Sequence, residues 1–231
     1  MRVDGKKITD RFCTTKLPLA NIENAGKLRL DKLRSRETLR QVFELMDTPL
    51  EELMTEEVRC PDTSGPFSRG FLPEDLLQIA KVTRESRGGP AAGNARWFKV
   101  PKASGEDARL VQGLGRLSAA LTAPRTKFTR LHELVANILA RKIAMQADLK
   151  NWFYQIAVNP AWGKWLRAKI VAGRGKFKEV ELTVLSMGLS LSVFIAHSLG
   201  KEIASMASEE LKAYVDAWVD NLFWAVDDEN I

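Results

Sequence analysis

The 231-residue chain is 45% hydrophobic and 28% charged, which is typical of a folded globular protein and too apolar for a disordered one. Two scattered cysteines, Cys13 and Cys60, and two isolated histidines exclude a zinc ribbon, a disulfide framework and a histidine metal site, and they indicate a reducing, intracellular compartment. The net charge of +6 is concentrated in residues 96–142, which hold 10 basic and three acidic side chains; this favours contact with phosphates, although a solvated surface would give the same counts.

The first third of the chain is predicted to be mainly helical. A charged helix is expected over residues 28–46, because five apolar residues recur at helical spacing: Leu33, Leu39, Val42, Phe43 and Met46. A second helix should begin at Pro73, with acidic Glu74 and Asp75 in its first turn, and run to about Thr83. Residues 87–94 (RGGPAAGN) then predict a linker.

Strand and helix signals alternate after the linker, without a regular βαβ order. Residues 97–101 and 109–112 flank a charged turn and predict a β-hairpin with a basic tip. The elements expected after it are a helix over 129–141, a strand over 143–147 that ends at Asp148, a hairpin over 165–171 and 177–184, a helix over 191–211, and a last hairpin over 214–219 and 222–226. This order predicts an α+β fold with a small antiparallel sheet packed on helices.

The uncharged stretch of residues 182–200 is long enough to raise the question of a membrane span. Its serines, threonine, histidine and glycines are costly in a bilayer. We therefore expect this stretch to be buried in a globular core, and we expect no membrane partner.

Two aspartates are placed where a carboxylate can be held rigidly. Asp148 ends an apolar strand, and Asp220 occupies the turn of the last hairpin. Carboxylates on neighbouring strands offer hard oxygen ligands to divalent cations, and a pair of such cations can hold both the attacking and the leaving oxygen of a phosphoryl transfer. The alternative is that Asp148 caps a helix and Asp220 fills a turn, where aspartate is common.

Four segments resemble, in order, the motifs of reverse transcriptases of the retroviral or retrotransposon type, and together they cover residues 96–228. Residues 147–156 (ADLKNWFYQI) resemble the motif with the first catalytic aspartate, and residues 218–221 (WVDN) resemble the hairpin turn with the second. Residues 185–192 (LSMGLSLS) are similar to the intervening motif, and residues 98–111 are similar to the fingers hairpin. The resemblance implies a right-hand polymerase architecture of fingers and palm.

The resemblance also implies a site for two cations. Asp148, Asp220 and the backbone carbonyl of Leu149 would hold two Mg²⁺ ions, which Mn²⁺ could replace, and Asn221 would lie beside them as a catalytic residue. Asn221 stands where the family commonly has a second aspartate, which removes one negative charge. Asp216 is a rival for the catalytic turn, but the strands on either side of Asp220 are the better match.

Five residues would bind the incoming deoxynucleoside triphosphate. Lys102 and Arg109 would neutralise its phosphates, unless they are only solvated charges of an exposed hairpin. By the resemblance, Phe153 is the steric gate that favours DNA over RNA synthesis, and the alternative is that it is a core aromatic. While the chain is extended, successive side chains face opposite sides, so Phe153 and its aromatic neighbours cannot all have the same role. Met187 and Gly188 would approach the nucleotide or template, unless they form a plain turn.

The prediction is a fragment of an RNA-directed DNA polymerase. Residues 1–95 would be an N-terminal helical or fingers region, residues 96–142 the fingers hairpin and connecting helix, and residues 143–231 an incomplete palm. The thumb is expected to be absent and, with any ribonuclease H region, to belong to a longer polyprotein. The expected partners are a primed RNA or DNA template and deoxynucleoside triphosphates. The main alternative is an inactive or truncated palm-like protein that binds nucleic acid or a protein partner; an RNA-dependent RNA polymerase fits Phe153 less well.

Overall fold

The structure is a computed structural model that describes residues 2–3, 6–7, 12–15, 31–56, 81–86, 96–101, 108–149, 151–173 and 176–227. These residues form helices and mainly antiparallel strands. The predicted α+β class is confirmed. The α-helices are α1 (Asp31–Arg34), α2 (Arg40–Asp47), α3 (Gly115–Ala120), α4 (Leu131–Leu139) and α5 (Ser190–Leu211). Short 3-10 helices occur at Glu37–Leu39, Leu50–Leu53, Trp152–Gln155 and Pro160–Lys164.

Eleven strands are assigned among the described residues. They are β1 (Arg2–Val3), β2 (Lys6–Lys7), β3 (Phe12–Thr15), β4 (Thr83–Glu85), β5 (Arg96–Pro101), β6 (Ala108–Gly113), β7 (Ile143–Asp148), β8 (Arg167–Gly173), β9 (Lys176–Leu182), β10 (Tyr214–Trp218) and β11 (Asn221–Val226). The three hairpins that the sequence predicts are therefore present, as β5–β6, β8–β9 and β10–β11. The basic tip of the first hairpin, residues 102–107, lies outside the described residues.

A four-stranded sheet carries both predicted aspartates, in the strand order β10-β11-β7-β3. The first three strands are antiparallel neighbours, whereas β3 pairs with β7 in parallel. The sequence does not predict β3, because its four residues (FCTT) are too few to show an alternating pattern.

The N-terminal helix differs from its prediction in continuity but not in its buried side. The expected helix over 28–46 is divided into α1, a 3-10 turn and α2, and the break falls at Arg36, whose backbone is extended. All five apolar residues that predict the helix are buried: Leu33, Leu39, Val42, Phe43 and Met46. The periodicity therefore identified the core-facing residues correctly.

The segment before the linker also differs from its prediction. Residues 81–82 are helical, but Thr83 begins β4, which pairs with β9 and extends the second sheet to the order β4-β9-β8. The helix therefore ends at about the predicted residue, and the strand that follows it is the feature that the sequence did not predict. The predicted helix start at Pro73 and the linker over 87–94 lie outside the described residues.

The four-stranded sheet has a different helix on each face. On one face, Ala217 and Leu222 belong to the main core with α5, which packs against β10. On the other face, Leu134 and Ile138 of α4 pack with Ala144 and Ala225. Because alternate residues of β7 share a face, α4 covers the end of that face remote from Asp148. Asp148, at the other end, is exposed.

The uncharged stretch of residues 182–200 ends β9, turns and begins α5. Leu185, Leu191 and Ile195 are fully buried, in agreement with a core position. No helix among the described residues combines the length and the apolar character needed to cross a bilayer.

Candidate active site

The register of β7 and β11 brings Asp148 next to the last hairpin turn. Asp148, the final residue of β7, is paired with Asn221, the first residue of β11. The Leu149 N–H donates to the Asp220 carbonyl oxygen at 2.6 Å. The 149–220 pair is thus hydrogen-bonded, and the 148–221 pair is the non-hydrogen-bonded kind, whose Cβ atoms lie about 4.5–5.5 Å apart.

The Asp220 carboxylate belongs to the same group of side chains. Asn221 Nδ2 donates to Asp220 Oδ1 at 3.1 Å, and Asn221 shares a face of the sheet with Asp148. Asp148 is exposed and Asp220 is half-buried, so the group opens to solvent. The two predicted aspartates, far apart in the sequence, therefore meet at one end of the sheet.

The side-chain amide of Asn221 is held on both sides. Its Oδ1 accepts a hydrogen bond from Gln146 Nε2 at 2.8 Å, while its Nδ2 donates to Asp220. Gln146 precedes Asp148 by two residues on β7 and so lies on the same face of the sheet. In this arrangement Asn221 presents its N–H₂ group, not its oxygen, to the Asp220 carboxylate.

The turn itself is held in an unfavourable backbone conformation. Val219, just before Asp220, has a φ of 57°, and the left-handed region costs a β-branched residue about 1–2 kcal/mol. Its N–H donates to His197 Nδ1 at 3.3 Å. Its carbonyl oxygen lies against Gly200, where an added Cβ would be 3.2 Å away. Since His197 and Gly200 both belong to α5, that helix stabilises the turn.

His197 is buried and connects the turn to the segment before α4. Because its Nδ1 accepts from Val219, its Nε2 carries the proton and donates to the Lys127 carbonyl oxygen at 3.2 Å. The Phe128 ring lies 4.6 Å from the imidazole and stacks on Trp218 at 5.1 Å between centroids. Burial lowers the pKa of His197 below its ordinary value, which favours the neutral imidazole.

Asp216, the rival for the catalytic turn, is a buried and paired residue of the sheet. It lies within β10, is 4% exposed, and forms an ion pair with Lys201. Burial opposes its ionisation, but hydrogen bonds from Lys201 and Thr129 outweigh this effect and lower the pKa of Asp216. The chain therefore neutralises Asp216 internally, and Asp220 alone of the two lies in the turn.

The three aromatic residues after Asp148 all enter the core. Asn151 has a φ of 54°, which asparagine tolerates, and it leads into the 3-10 helix of Trp152–Gln155. The expected alternation of faces is therefore wrong, because the chain is helical rather than extended here. Trp152, Phe153 and Tyr154 are all buried. Phe153 is 8% exposed and packs against the core, and its role as a steric gate stays a prediction.

The intervening motif packs directly against β6. The Gln112 N–H donates to the Met187 carbonyl oxygen at 2.8 Å, and the Ser186 hydroxyl donates to the Gln112 side chain. Gly188 has a φ of 119°, and a Cβ there would lie 2.0 Å from the Gln112 carbonyl oxygen. The close backbone approach expected at Gly188 is thus present, but β6 is the neighbour. Contact of Met187 and Gly188 with a nucleotide stays a prediction.

The basic residues expected at the triphosphate are less fully described. Lys102 lies outside the described residues, and Arg109 is on β6 opposite Val100. The Leu149 carbonyl, expected at a cation, accepts the Trp152 N–H at 3.1 Å. A carbonyl oxygen has a second lone pair, so this hydrogen bond leaves it able to bind a cation.

The donor groups at this end of the sheet fit a divalent cation whose coordination shell is completed by a substrate. Within the described residues, no three His, Cys, Asp or Glu side chains form a metal-binding cluster. However, Mg²⁺ usually keeps several waters and needs only one or two protein carboxylates besides substrate phosphates. Asp148, Asp220 and the Leu149 carbonyl are hard oxygen donors of this type.

Two residues of the site were not predicted from the sequence. Gln146 and His197 contact the site only through strand register and helix packing, which no local motif records. The available signals were weak: Gln146 interrupts an apolar strand, and His197 is the one ionisable residue in an otherwise uncharged stretch.

The mixed helices and mainly antiparallel sheets of the described chain are compatible with a polymerase-like fold. More particularly, the chain is similar to a foamy viral protease-reverse transcriptase that was solved in complex with double-stranded DNA, with a TM-score of 0.52 and 14% sequence identity. The similarity covers 90% of this chain but 37% of that one, so this chain spans little more than a third of the viral protein's length. No protein-family model and no curated protein matches the sequence.

Proposed function

We propose that this chain is the fingers-and-palm part of an RNA-directed DNA polymerase, which transfers deoxynucleotides to a primer 3′-hydroxyl under the direction of a template. The observation that carries the proposal is the pairing of Asp148 with Asn221, which sets Asp148 beside Asp220. The similarity in fold to a viral reverse transcriptase supports the same class of reaction. In this proposal the four-stranded sheet is the palm, and the β5–β6 hairpin belongs to the fingers.

Asp148, Asp220 and the Leu149 carbonyl would hold two divalent cations between the primer end and the incoming nucleotide. Bound Mg²⁺ would supply a lower pKa for the primer hydroxyl and charge neutralisation for the transferred phosphoryl group. The protein would contribute position: β7 holds Asp148, and α5 holds the turn that carries Asp220. The exposed end of the sheet leaves room for the substrate.

The nucleotide would lie between this site and the β5–β6 hairpin. Lys102 and Arg109 would bind its triphosphate, and Met187 and Gly188 would approach its base or the template. The Gln112–Met187 hydrogen bond supports this arrangement, because it connects the hairpin to the intervening motif. Phe153 would occupy the volume of a ribose 2′-hydroxyl and so select deoxynucleotides. Replacing Phe153 with valine should then raise ribonucleotide incorporation; an unaltered sugar preference would contradict that role.

Primer extension by matched aspartate variants tests the proposal. Asp148→Asn should abolish extension with Mg²⁺ or Mn²⁺, because it removes one of the two carboxylates. Asp227→Asn is the control, since Asp227 is exposed and follows β11 at the end remote from Asn221. Extension by Asp148→Asn at the rate of the control variant would reject the assignment.

A second candidate function is nucleic-acid binding without catalysis. It is favoured by Asn221 in place of an acidic residue and by the net charge of +7 in residues 96–142. A binding protein of this kind should lose affinity for a primed template steeply as salt is raised, and it should show no extension with either cation. Extension by the unmodified chain would exclude this alternative.

A further inference from the structure

We infer that Gln146 is a positioning residue of the cation site, and that it acts by orienting Asn221. Asn221 then donates a hydrogen bond to Asp220 and is not itself a cation ligand. The inference rests on the proposed function and adds to it a further residue, Gln146, and separate roles for Gln146 and Asn221. It follows from the two hydrogen bonds that join Gln146, Asn221 and Asp220 in sequence.

The charge of Asp220 determines the direction of both hydrogen bonds. An ionised carboxylate only accepts, so the Asn221 amide must turn its N–H₂ group toward it. The Asn221 oxygen then faces Gln146, which must offer its own N–H₂ group. No other orientation of the two amides satisfies all three side chains. The Asn221 oxygen therefore points toward Gln146 and away from the Asp220 carboxylate while Asp220 is ionised.

This chain of bonds connects both carboxylates to one strand. Asp148 is on β7 itself, and Gln146 lies two residues earlier on the same face. β7 is an interior strand, between β11 and β3, and is thereby fixed on both sides. The position of Asp220 relative to Asp148 thus depends on β7 as well as on the turn.

Such an arrangement compensates for the missing negative charge of a second turn aspartate. A carboxylate that is already oriented loses less conformational freedom when a cation binds. Breaking the bond from Gln146 should therefore weaken cation binding, although Gln146 itself does not touch the cation. The bond between Gln146 and Asn221 joins two neutral amides, and loss of such a bond corresponds to a change of up to about tenfold in the dissociation constant.

Mn²⁺ binding to the full 231-residue chain tests this inference through the paramagnetic resonance signal of the free ion. Four variants are compared: Gln146→Met, Asn221→Ala, the double variant, and Asp148→Asn. If Gln146 acts through Asn221, both single changes should raise the Mn²⁺ dissociation constant by the same factor, up to about tenfold. The double variant should have the same dissociation constant as either single variant. Asp148→Asn should remove binding.

Asn137→Ala serves as a matched control, because Asn137 is exposed on α4, which covers the opposite end of the sheet, and its amide nitrogen donates to the Glu133 carbonyl oxygen. It should bind Mn²⁺ like the unmodified chain. Gln146→Asn provides a second probe if Gln146→Met fails to fold, since its shorter side chain stays polar but cannot reach Asn221. It should weaken Mn²⁺ binding in the same way.

Several results would overturn the inference. If Asn221 were a direct ligand, Asn221→Ala would weaken Mn²⁺ binding while Gln146→Met left it unchanged. A purely structural Gln146 would change the midpoint of thermal unfolding without changing the dissociation constant of the folded protein. Equal binding by the unmodified chain and Asp148→Asn, or no binding by either, would also reject it. The predicted Mn²⁺ pattern without primer extension would instead reject the polymerase proposal and keep the role of Gln146.

Discussion

The two main sheets differ in the burial and pairing of their acidic side chains. Glu181 of β9 is buried and accepts hydrogen bonds from Arg167 and Arg84; the side chains of Arg167 and Glu181 are 3% and 4% exposed. Asp148 of β7 is exposed, and no residue in the described part of the chain donates a hydrogen bond to its carboxylate or forms an ion pair with it. The protein neutralises Glu181 internally, whereas the Asp148 carboxylate is exposed to solvent.

In the proposed function, this difference separates Glu181, a carboxylate that stabilises the fold, from Asp148, a carboxylate that would bind a ligand. Burial opposes ionisation of Glu181, yet hydrogen bonds from Arg167 and Arg84 outweigh it and lower the pKa of Glu181. The packing is tight, since a Cβ on Gly163 would lie 2.8 Å from a Glu181 carboxylate oxygen. A carboxylate so enclosed cannot bind a cation, whereas an exposed one beside a second carboxylate can.

Removing Arg167 should have the largest effect on stability. Arg167→Met leaves a buried Glu181 with only part of its compensation, and breaking a buried ion pair in this way costs about 3–5 kcal/mol of the free energy of unfolding. Arg116→Met, on the exposed face of α3, is the matched control and should change it by less than about 0.5 kcal/mol. Urea denaturation measures both. Similar values for the two variants would mean that the Glu181 cluster contributes little.

Arg84→Met should have a smaller effect, which depends on pH. Arg84 is more exposed than Arg167, and losing its hydrogen bonds should cost about 1–2 kcal/mol at pH 7. Since the pKa of Glu181 is lowered in the folded state, its contribution is present above about pH 4.3 and is lost as the pH falls through the folded pKa. The variant should therefore lose less stability on acidification than the unmodified chain. A steeper loss would contradict this account.

His197 should make the other sheet sensitive to a milder acidification. Its pKa is lowered in the folded state, so an unfolded chain takes up a proton near pH 6.5 that the folded chain does not, and stability falls as the pH drops below that value. In His197→Asn the amide oxygen can still accept the Val219 N–H, but the asparagine side chain does not titrate. Thermal unfolding from pH 7.5 to 5.5 should show a smaller decrease for the variant. Lys201 and Asp216, which lie close to His197, are unchanged in both proteins.

Asp148→Asn should have the smallest effect on stability. An exposed carboxylate without a described partner should contribute less than about 0.5 kcal/mol to the free energy of unfolding in the absence of divalent cations. The same variant is expected to lose primer extension, so stability and activity should separate at this residue. A loss as large as that of Arg167→Met would remove the distinction between the two sheets.

Much of the fold could be predicted because periodic patterns record burial. The apolar spacing in residues 28–46 identified the five residues that are buried in the described part of this segment, although it did not reveal the break at Arg36. The three hairpins were predicted from short apolar runs around turns. Strands β3 and β4 were not, because each is formed by pairing with a strand far away in the sequence, β7 or β9. Their own three or four residues carry no pattern.

The sequence placed Asp148, Asp220, Asn221 and the Leu149 carbonyl at the candidate site, but not the residues that orient them. Asp148 and Asp220 stand at strand ends that the sequence shows, and the strand register then brings them together. The residues that orient the turn could not be found in this way. Gln146 reaches Asn221 across two strands, and His197 reaches Val219 from a helix. The local helix after Asp148, which buries Phe153, depends on the left-handed Asn151 and was likewise unexpected.

The parallel strand β3 has a practical consequence for shortened forms of this protein. Residues 12–15 cover the outer edge of β7, the strand that carries Asp148 and Gln146. A version beginning at the β5–β6 hairpin would keep every motif of the reverse-transcriptase resemblance but would expose the backbone N–H and C=O groups of β7. Uncovered edges of this kind readily pair with other chains and promote aggregation. The N-terminal segment, which carries no recognisable motif, should therefore be retained for soluble expression.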